Sequence, residues 1–335
     1  MSGGRSQTGR LTVIGVPVYN GAAHLEEALQ SLLGQTAADL SVVVVDDCSS
    51  DASPEIVGRN SEAGYERNDR RLGLVPTWRR AFEAAIRASG DASYFAWGSD
   101  HDVWHPEWLQ TLVGALEDRP EAVLAYPRVE AIADDGSPFK RGRREFDTAG
   151  MTDPLARLRE ANAGMRAGDM IYGLYRVEAL RRCGPFPATL LPDRLLLARL
   201  ALEGEFVQVE RSLWKRRYRE GVRPSRSRQR RSLLAGQHRL LLYLPWSWVH
   251  AIWFFRSLDP ETSADRLRTT RLYVRSARAA VAAQRRAHNE RVRRRRRKAR
   301  RARLAGLRRR LPALRGSSNV RAAEAGDPDD PVHVD

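Results

Sequence analysis

Cysteine is nearly missing from this chain: Cys48 and Cys183 are the only two in 335 residues, far apart and without CxxC spacing. That excludes a disulfide framework and a thiolate-held metal or redox site, and it fits a reducing compartment. No GxGxxG stands between the first apolar segment and the helical pattern behind it, and GxxxxGK[ST] is absent. The glycine loops of dinucleotide-binding enzymes and P-loop nucleotidases are therefore lacking. The N-terminal MSGGRSQTGR has no apolar core of a secretory signal, so the body is expected to stay in the cytoplasm. Long apolar runs are scarce as well. LLLYLPWSWVHAIWFF (240–255) has sixteen residues without a formal charge, where a spanning helix needs about twenty.

Positive charge, by contrast, is abundant, but only locally. Of the formal +16, Arg285 to Arg315 supplies sixteen Lys or Arg against one acid, Glu290. The rest of the chain is close to neutral, so the basic character belongs to an appendage and says little about the fold. The run 291–315 carries no aromatic residue, which argues against stacking on single-stranded nucleic acid. Anionic lipid, nucleic acid or solubility alone remain as its destinations. At about 1 kcal/mol per Lys or Arg near an anionic surface, lipid attachment would be firm. The tryptophan and tyrosine side chains of 243–253 suit headgroup depth, so this segment either lies at a membrane interface or packs onto the main domain.

Upstream, strand-like and helical patterns alternate. LTVIGV (11–16) is a short apolar strand expected to end at Pro17, and helical spacing covers 22–34. LSVVVV (40–45) is a β-branched run without alternation, as in a strand covered on both faces. Ser53-Pro54-Glu55 reads as an N-cap, a proline and an acid at a helix start. A helix over 75–89, a strand at 93–97, a helix from Pro106 to about Asp118 and a strand at 122–132 follow. Beyond them come a helix at 153–161, a strand at 170–176, a short helix ending at Cys183-Gly184, a helix opened by Asp193 and a strand EFVQVE. The pattern predicts a mostly parallel α/β sheet, whose ligands gather at the carboxyl ends of the strands. Asp46-Asp47 and Asp100-His101-Asp102 both fall at such ends, which places them in one crevice.

Two carboxylates one residue apart, at the end of the aromatic segment YFAWGSD (94–100), need a compensating charge if they are buried. Asp100 and Asp102 can hold a hard divalent cation, Mg²⁺ or Mn²⁺, that bridges a diphosphate; the bland reading is a polar turn with an Asp cap. VPVYNGAAHLEEALQSLLGQT (16–36), VVVVDDCSSD (42–51), WGSDHDVWHPEWL (97–109) and GPFPATLLPDRLLLARLALEGEFVQVERSLWKRRYR (184–219) together resemble the family 2 glycosyltransferases, inverting nucleotide-sugar enzymes of the GT-A fold. The likeness covers roughly residues 11–220.

The resemblance implies a donor site made of Pro17, Tyr19, Asp47 and Asp100, with Tyr19 against the base and Asp47 accepting a hydrogen bond from it. Metal would sit on Asp102 and Asp100, and His101 departs from the acids that many relatives carry there. Arg67 could reach the donor or stay a solvated surface arginine. Arg217 or Arg219 would close over the diphosphate. Asp193 takes the acceptor's proton as general base, or caps its helix; a helix N-terminus would lower its pKa. The implied organisation is a disordered 1–10, a GT-A domain over 11–222, a helical and interfacial extension over 223–290, and a basic, then disordered, 291–335. The implied partners are a nucleotide-sugar donor, a glycan or lipid-linked acceptor and the cytoplasmic face of a membrane. The competing reading is a lipid- or nucleic-acid-binding protein on an inactive GT-A scaffold.

Overall fold

The computed structural model describes residues 11–37, 39–140, 145–165, 167–184, 189–218, 245–259 and 263–315. Expectations for residues 1–10, for Arg219 and for 219–244 and 316–335 lie outside them. Contacts divide the chain into two units, Met1–Arg278 and Ala279–Asp335.

In the first unit the strands β1 (Thr12–Val18), β2 (Leu40–Asp46), β3 (Gly64–Arg67) and β4 (Tyr94–Trp97) form the parallel half of a sheet. The other half holds β5 (Val103–Trp104), β6 (Ala122–Ala133), β7 (Leu174–Arg176) and β8 (Glu205–Tyr218). Here β7 runs antiparallel to β4 and β6, β8 parallel to β6, and β5 antiparallel to β8, giving the order β3-β2-β1-β4-β7-β6-β8-β5. Successive side chains point to opposite faces, which explains the continuous apolar runs. Val43, Val45, Phe95 and Trp97 enter one core, while Val42, Val44, Tyr94 and Ala96 enter the other.

The second core is covered by α1 (Leu25–Leu33), α2 (Ser53–Arg59) and α4 (Trp108–Glu117). The first takes α3 (Leu74–Ala88), α5 (Pro154–Gly164), α7 (Val177–Cys183) and α8 (Pro192–Glu203), with α6 (Ala167–Met170) beside them. Phe254 of α9 (Trp246–Ser257) and Tyr273 of α10 (Ser263–Arg315) join that same core. α9 thus packs onto the domain along the face that carries Ser247, His250 and Phe254.

Several boundaries differ from expectation. β1 continues through Pro17, because the Gly15 carbonyl faces β4 and the Val18 carbonyl faces β2. By alternation Pro17 faces the β4 side, where pairing has already stopped at Gly15↔Trp97, so its missing N–H breaks no ladder bond. Ser53 is the first residue of α2 and not its cap; Asp51 accepts its N–H at 3.0 Å. The 170–176 strand shrinks to three residues, and β8 extends to Tyr218 because its ladder with β6 continues to Ala133↔Tyr218. The basic run is helical through Arg315, in a continuation of α10 that the second unit holds.

Candidate active site

Three turns meet at the carboxyl ends of β1, β2 and β4. Each sets a candidate residue beside the next, lining one cleft of about 230 Å³ with Pro17, Tyr19, Asp47, Arg71, Asp100 and Tyr172 on its wall. Two of these turns bend through a left-handed residue that is not glycine, Asn20 (φ 51°) and Cys48 (φ 63°). Such conformations persist only where the surroundings over-determine them. The Asn20 side chain accepts from Ser50 N–H and its own N–H donates to Ser49 Oγ, at 2.9 Å each, which ties the first turn to the second. Cys48 itself is half-buried.

The paired acids divide their work. Asp46 is buried and accepts from Ser49 N–H, Tyr65 Oη and the Arg67 guanidinium (3.1 Å). Arg67 also donates to the Ser49 carbonyl (2.7 Å). It braces the turn and is not among the residues lining that cleft. Asp47 accepts from Asn68 Nδ2 (2.8 Å), Leu72 N–H (2.7 Å) and Gly73 N–H (2.8 Å). A carboxylate offers about four acceptor sites, so one remains for a ligand. By gripping residues 68–73 it also sets Arg71 over the Tyr19 ring, 3.9 Å from its centroid. Sequence reading passed over Arg71; only the loop anchored on Asp47 carries it there.

Asp102 is 1% exposed and accepts from Arg217 backbone N–H at 2.8 Å. Burial pushes its pKa up, outweighing the pull of His101, the Arg217 N–H and Arg216. His101 spans the two acids: Nδ1 lies 2.5 Å from Asp100 Oδ1 and Nε2 3.9 Å from Asp102 Oδ1. Burial disfavours the imidazolium, yet the Asp100 hydrogen bond and both carboxylates outweigh it and raise its pKa. When protonated, His101 places positive charge between the acids. Among the described residues no group of three or more His, Cys, Asp and Glu forms a metal cage. Two hard oxygen donors, one of them desolvated and under-compensated, still fit a divalent cation that draws its remaining ligands from phosphate and water. A Cβ on Gly21 would stand 2.7 Å from Asp100 Oδ2, so the first turn closes tightly against the same carboxylate.

Arg217 is 7% exposed, and its guanidinium is spent within the protein. It donates to the carbonyls of His101 (2.9 Å) and Asp134 (2.8 Å) and pairs with Glu27 (2.6 Å). These bonds make Arg217 a strut behind Asp102. We predict that Arg217→Met lowers unfolding stability by about 2 kcal/mol or more, as loss of charged hydrogen bonds does, in denaturant titration. A true diphosphate contact would instead leave stability unchanged and weaken donor binding alone.

Arg216, one residue earlier on β8, faces the opposite way. It donates to the Gly168 carbonyl and Asp169, and lies 5.7 Å from the Trp214 ring and 5.3 Å from the Tyr218 ring. Its charge is felt by Asp102, Asp193 and Tyr172 alike. Strand parity is the signal that separates it from Arg217.

Asp193 stands in the first turn of α8, behind Pro192, and the capping position belongs to Leu191 in a left-handed conformation. Its Oδ1 accepts from Arg194 N–H at 2.9 Å. The lowered pKa expected from a helix N-terminus is overturned. Burial drives it up, against the lowering influence of the Arg194 N–H and of Arg194 and Arg216. Asp193 is not on the wall of the cleft described above, but Tyr172, which is, senses the charges of Asp100, Asp102 and Asp193.

This architecture is the GT-A fold. It superposes on S. aureus TarS residues 1–349 in complex with UDP-GlcNAc with a TM-score of 0.56 at 15% identity, covering 80% of this chain and 72% of that one. For GalNAc-T7 with UDP, GalNAc and Mn²⁺ the TM-score is 0.52 at 15% identity, covering 80% and 55%. The glycosyl transferase family 2 profile matches residues 13–184, and the chain belongs to that family. Among curated relatives, the Bacillus subtilis protein provisionally named teichuronic acid biosynthesis glycosyltransferase TuaG is 24% identical over 129 residues, 37% of this chain and 49% of its own. Succinoglycan biosynthesis protein ExoO of Rhizobium meliloti is 29% identical over 147 residues, 43% of this chain and 38% of its own. The matched stretches span about half or less of these curated relatives' lengths.

Proposed function

We propose that this protein moves a sugar from a nucleoside-diphosphate donor to a hydroxyl acceptor with inversion at the anomeric carbon. The observation that carries the reading is the convergence of Tyr19, Asp47 and Asp100 on one cleft, with buried Asp102 behind it. Tyr19 and Arg71 offer the two flat faces a base can lie against, and Asp47 keeps one acceptor site for a base N–H. Asp100 and Asp102 would hold the divalent cation, which supplies neutralising charge for the departing diphosphate. Asp193 accepts the proton of the attacking hydroxyl, a role that its raised pKa strengthens.

A bond to the anomeric carbon forms on one face as the bond to the diphosphate breaks on the other, and the acceptor proton passes to Asp193. The names TuaG and ExoO carry refer to teichuronic acid and succinoglycan biosynthesis, which supports a growing glycan or lipid-linked sugar as acceptor. The GalNAc-T7 complex holds Mn²⁺ with UDP, which supports a cation here.

Placement on an anionic cytoplasmic membrane surface belongs to the same reading. Trp248 (64% exposed) and Ile252 (57% exposed) stand one turn apart on α9, and α10 carries the basic run. Among the described residues no helix is long and apolar enough to cross a membrane. An inert scaffold is the weaker reading, because burying Asp102 without full compensation costs stability that passive binding has no use for. A panel of UDP-, GDP- and dTDP-sugars, scored by nucleotide release with and without Mg²⁺ or Mn²⁺, tests the proposal. Metal-dependent release with at least one donor is expected; none from any donor, with or without acceptor glycans, sinks it.

A further inference from the structure

The family profile ends at residue 184, yet Asp193 lies beyond it, on a turn that needs outside support. Leu191 sits at φ 58° and ψ 48°, a conformation that a branched side chain resists. Three residues before Asp193, the Leu190 carbonyl accepts from His250 Nε2 of α9 at 2.8 Å. Because a carbonyl only accepts, Nε2 carries the ring proton, and Nδ1 is left to accept from Tyr273 Oη of α10 at 2.6 Å. His250 is fully buried, and burial holds its pKa down to about 4, so the ring stays neutral and the tautomer is set. Phe254 stacks on Tyr273 at 4.3 Å and locks the pair. A second chain reaches the next residue: Arg194 donates to the Asn162 carbonyl (2.9 Å), and Asn162 Nδ2 donates to Ser276 Oγ of α10 (3.0 Å).

From this geometry we infer that His250, backed by Tyr273, is a positioning residue for Asp193. It holds the strained Leu190–Pro192 turn so that the carboxylate meets the acceptor hydroxyl, which makes α9 and α10 part of the catalytic apparatus and not only an appendage. The inference rests on the proposed role of Asp193 as proton acceptor. An apolar side chain would fill the same space beside Phe254, but it would leave the Leu190 carbonyl without its donor.

The test uses the full chain and the best donor of the panel above. His250→Leu is expected to lower kcat by about 10- to 100-fold, the scale of an ångström-sized misplacement, while donor KM stays within about twofold. His250→Gln can still donate to Leu190 and accept from Tyr273, and is expected to recover most of that loss. Tyr273→Phe, which releases only the back of the ring, falls between wild type and His250→Leu. The inference is overturned if folded His250→Leu turns over like wild type, or if His250→Gln and His250→Leu lose activity equally. Should His250→Leu not fold, His250→Gln and Tyr273→Phe decide: a drop in kcat at constant KM for Tyr273→Phe with a near-normal His250→Gln supports the inference, and any other pattern overturns it. Asp193→Asn run in parallel separates the two claims. If it is inactive while folded His250→Leu is normal, only the positioning role falls; if it is fully active, the base assignment falls and this inference with it.

Discussion

Asp102→Asn is expected to cut metal-dependent nucleotide release by about a thousandfold while leaving the protein as stable as wild type or more so. A bound cation is worth several kcal/mol of charge stabilisation on the departing diphosphate, and about 4 kcal/mol corresponds to three decades in rate. The asparagine oxygen can still accept from Arg217 N–H, so the loop keeps its anchor. Removing a carboxylate whose ionised form burial disfavours relieves a penalty in the metal-free protein. Thermal unfolding supplies a readout independent of turnover. Mn²⁺ should raise the Tm of wild type through preferential binding to the folded state, and it should leave the variant's Tm unmoved. Equal metal-induced shifts in both proteins would exclude Asp102 as a ligand.

Asp193→Asn should lower kcat by about 10²- to 10⁴-fold, the usual worth of a positioned general base, with little change in donor KM. The pH profile carries the sign of the effect. Asp193 must be ionised to accept a proton, and burial raises its pKa, so activity falls as pH drops through a value above the ordinary carboxylate range. Stability runs the other way. A carboxyl whose folded pKa is raised contributes stability that is full below its unfolded pKa and is lost as pH rises through the folded one. At neutral pH the variant should therefore unfold at a higher temperature than wild type, and this advantage should vanish in acid. A profile whose acid limb persists unchanged in Asp193→Asn would assign that limb to another group.

Much of the sheet was legible because burial on both faces leaves a signature in the chain itself. LSVVVV and SYFAW have no polar alternation, and each became a strand feeding two cores. The acids behind them fell at one cleft because parallel strands all end on the same side. Less legible were strands whose identity depends on a partner. β8 looks like a charged loop beyond residue 210, and only its ladder with β6 makes it a strand. β3 and β5 are four and two residues long, too short for any period to show.

The roles of the arginines were hardest to read, since every guanidinium looks alike in a sequence. Parity along β8 sends Arg217 inward to Glu27 and the Asp134 carbonyl, and Arg216 toward Asp169. Arg67 sits beside Asp46 because β2 and β3 pair Asp46 with Arg67 in register. Asp193 shows the same limit from another side. Its place at a helix start predicted a lowered pKa, but desolvation by everything packed around α8 reversed the sign.

The linear chain already carried the class of fold, the acids at the strand ends and the family likeness, because these depend on short-range patterns of polarity and on residue types at fixed spacing. Folding alone decided which arginine serves structure, how Arg71 meets Tyr19, and that His250 reaches Leu190 across 60 residues. Those outcomes depend on distance, burial and strand register, which arise only when segments remote in sequence are packed together.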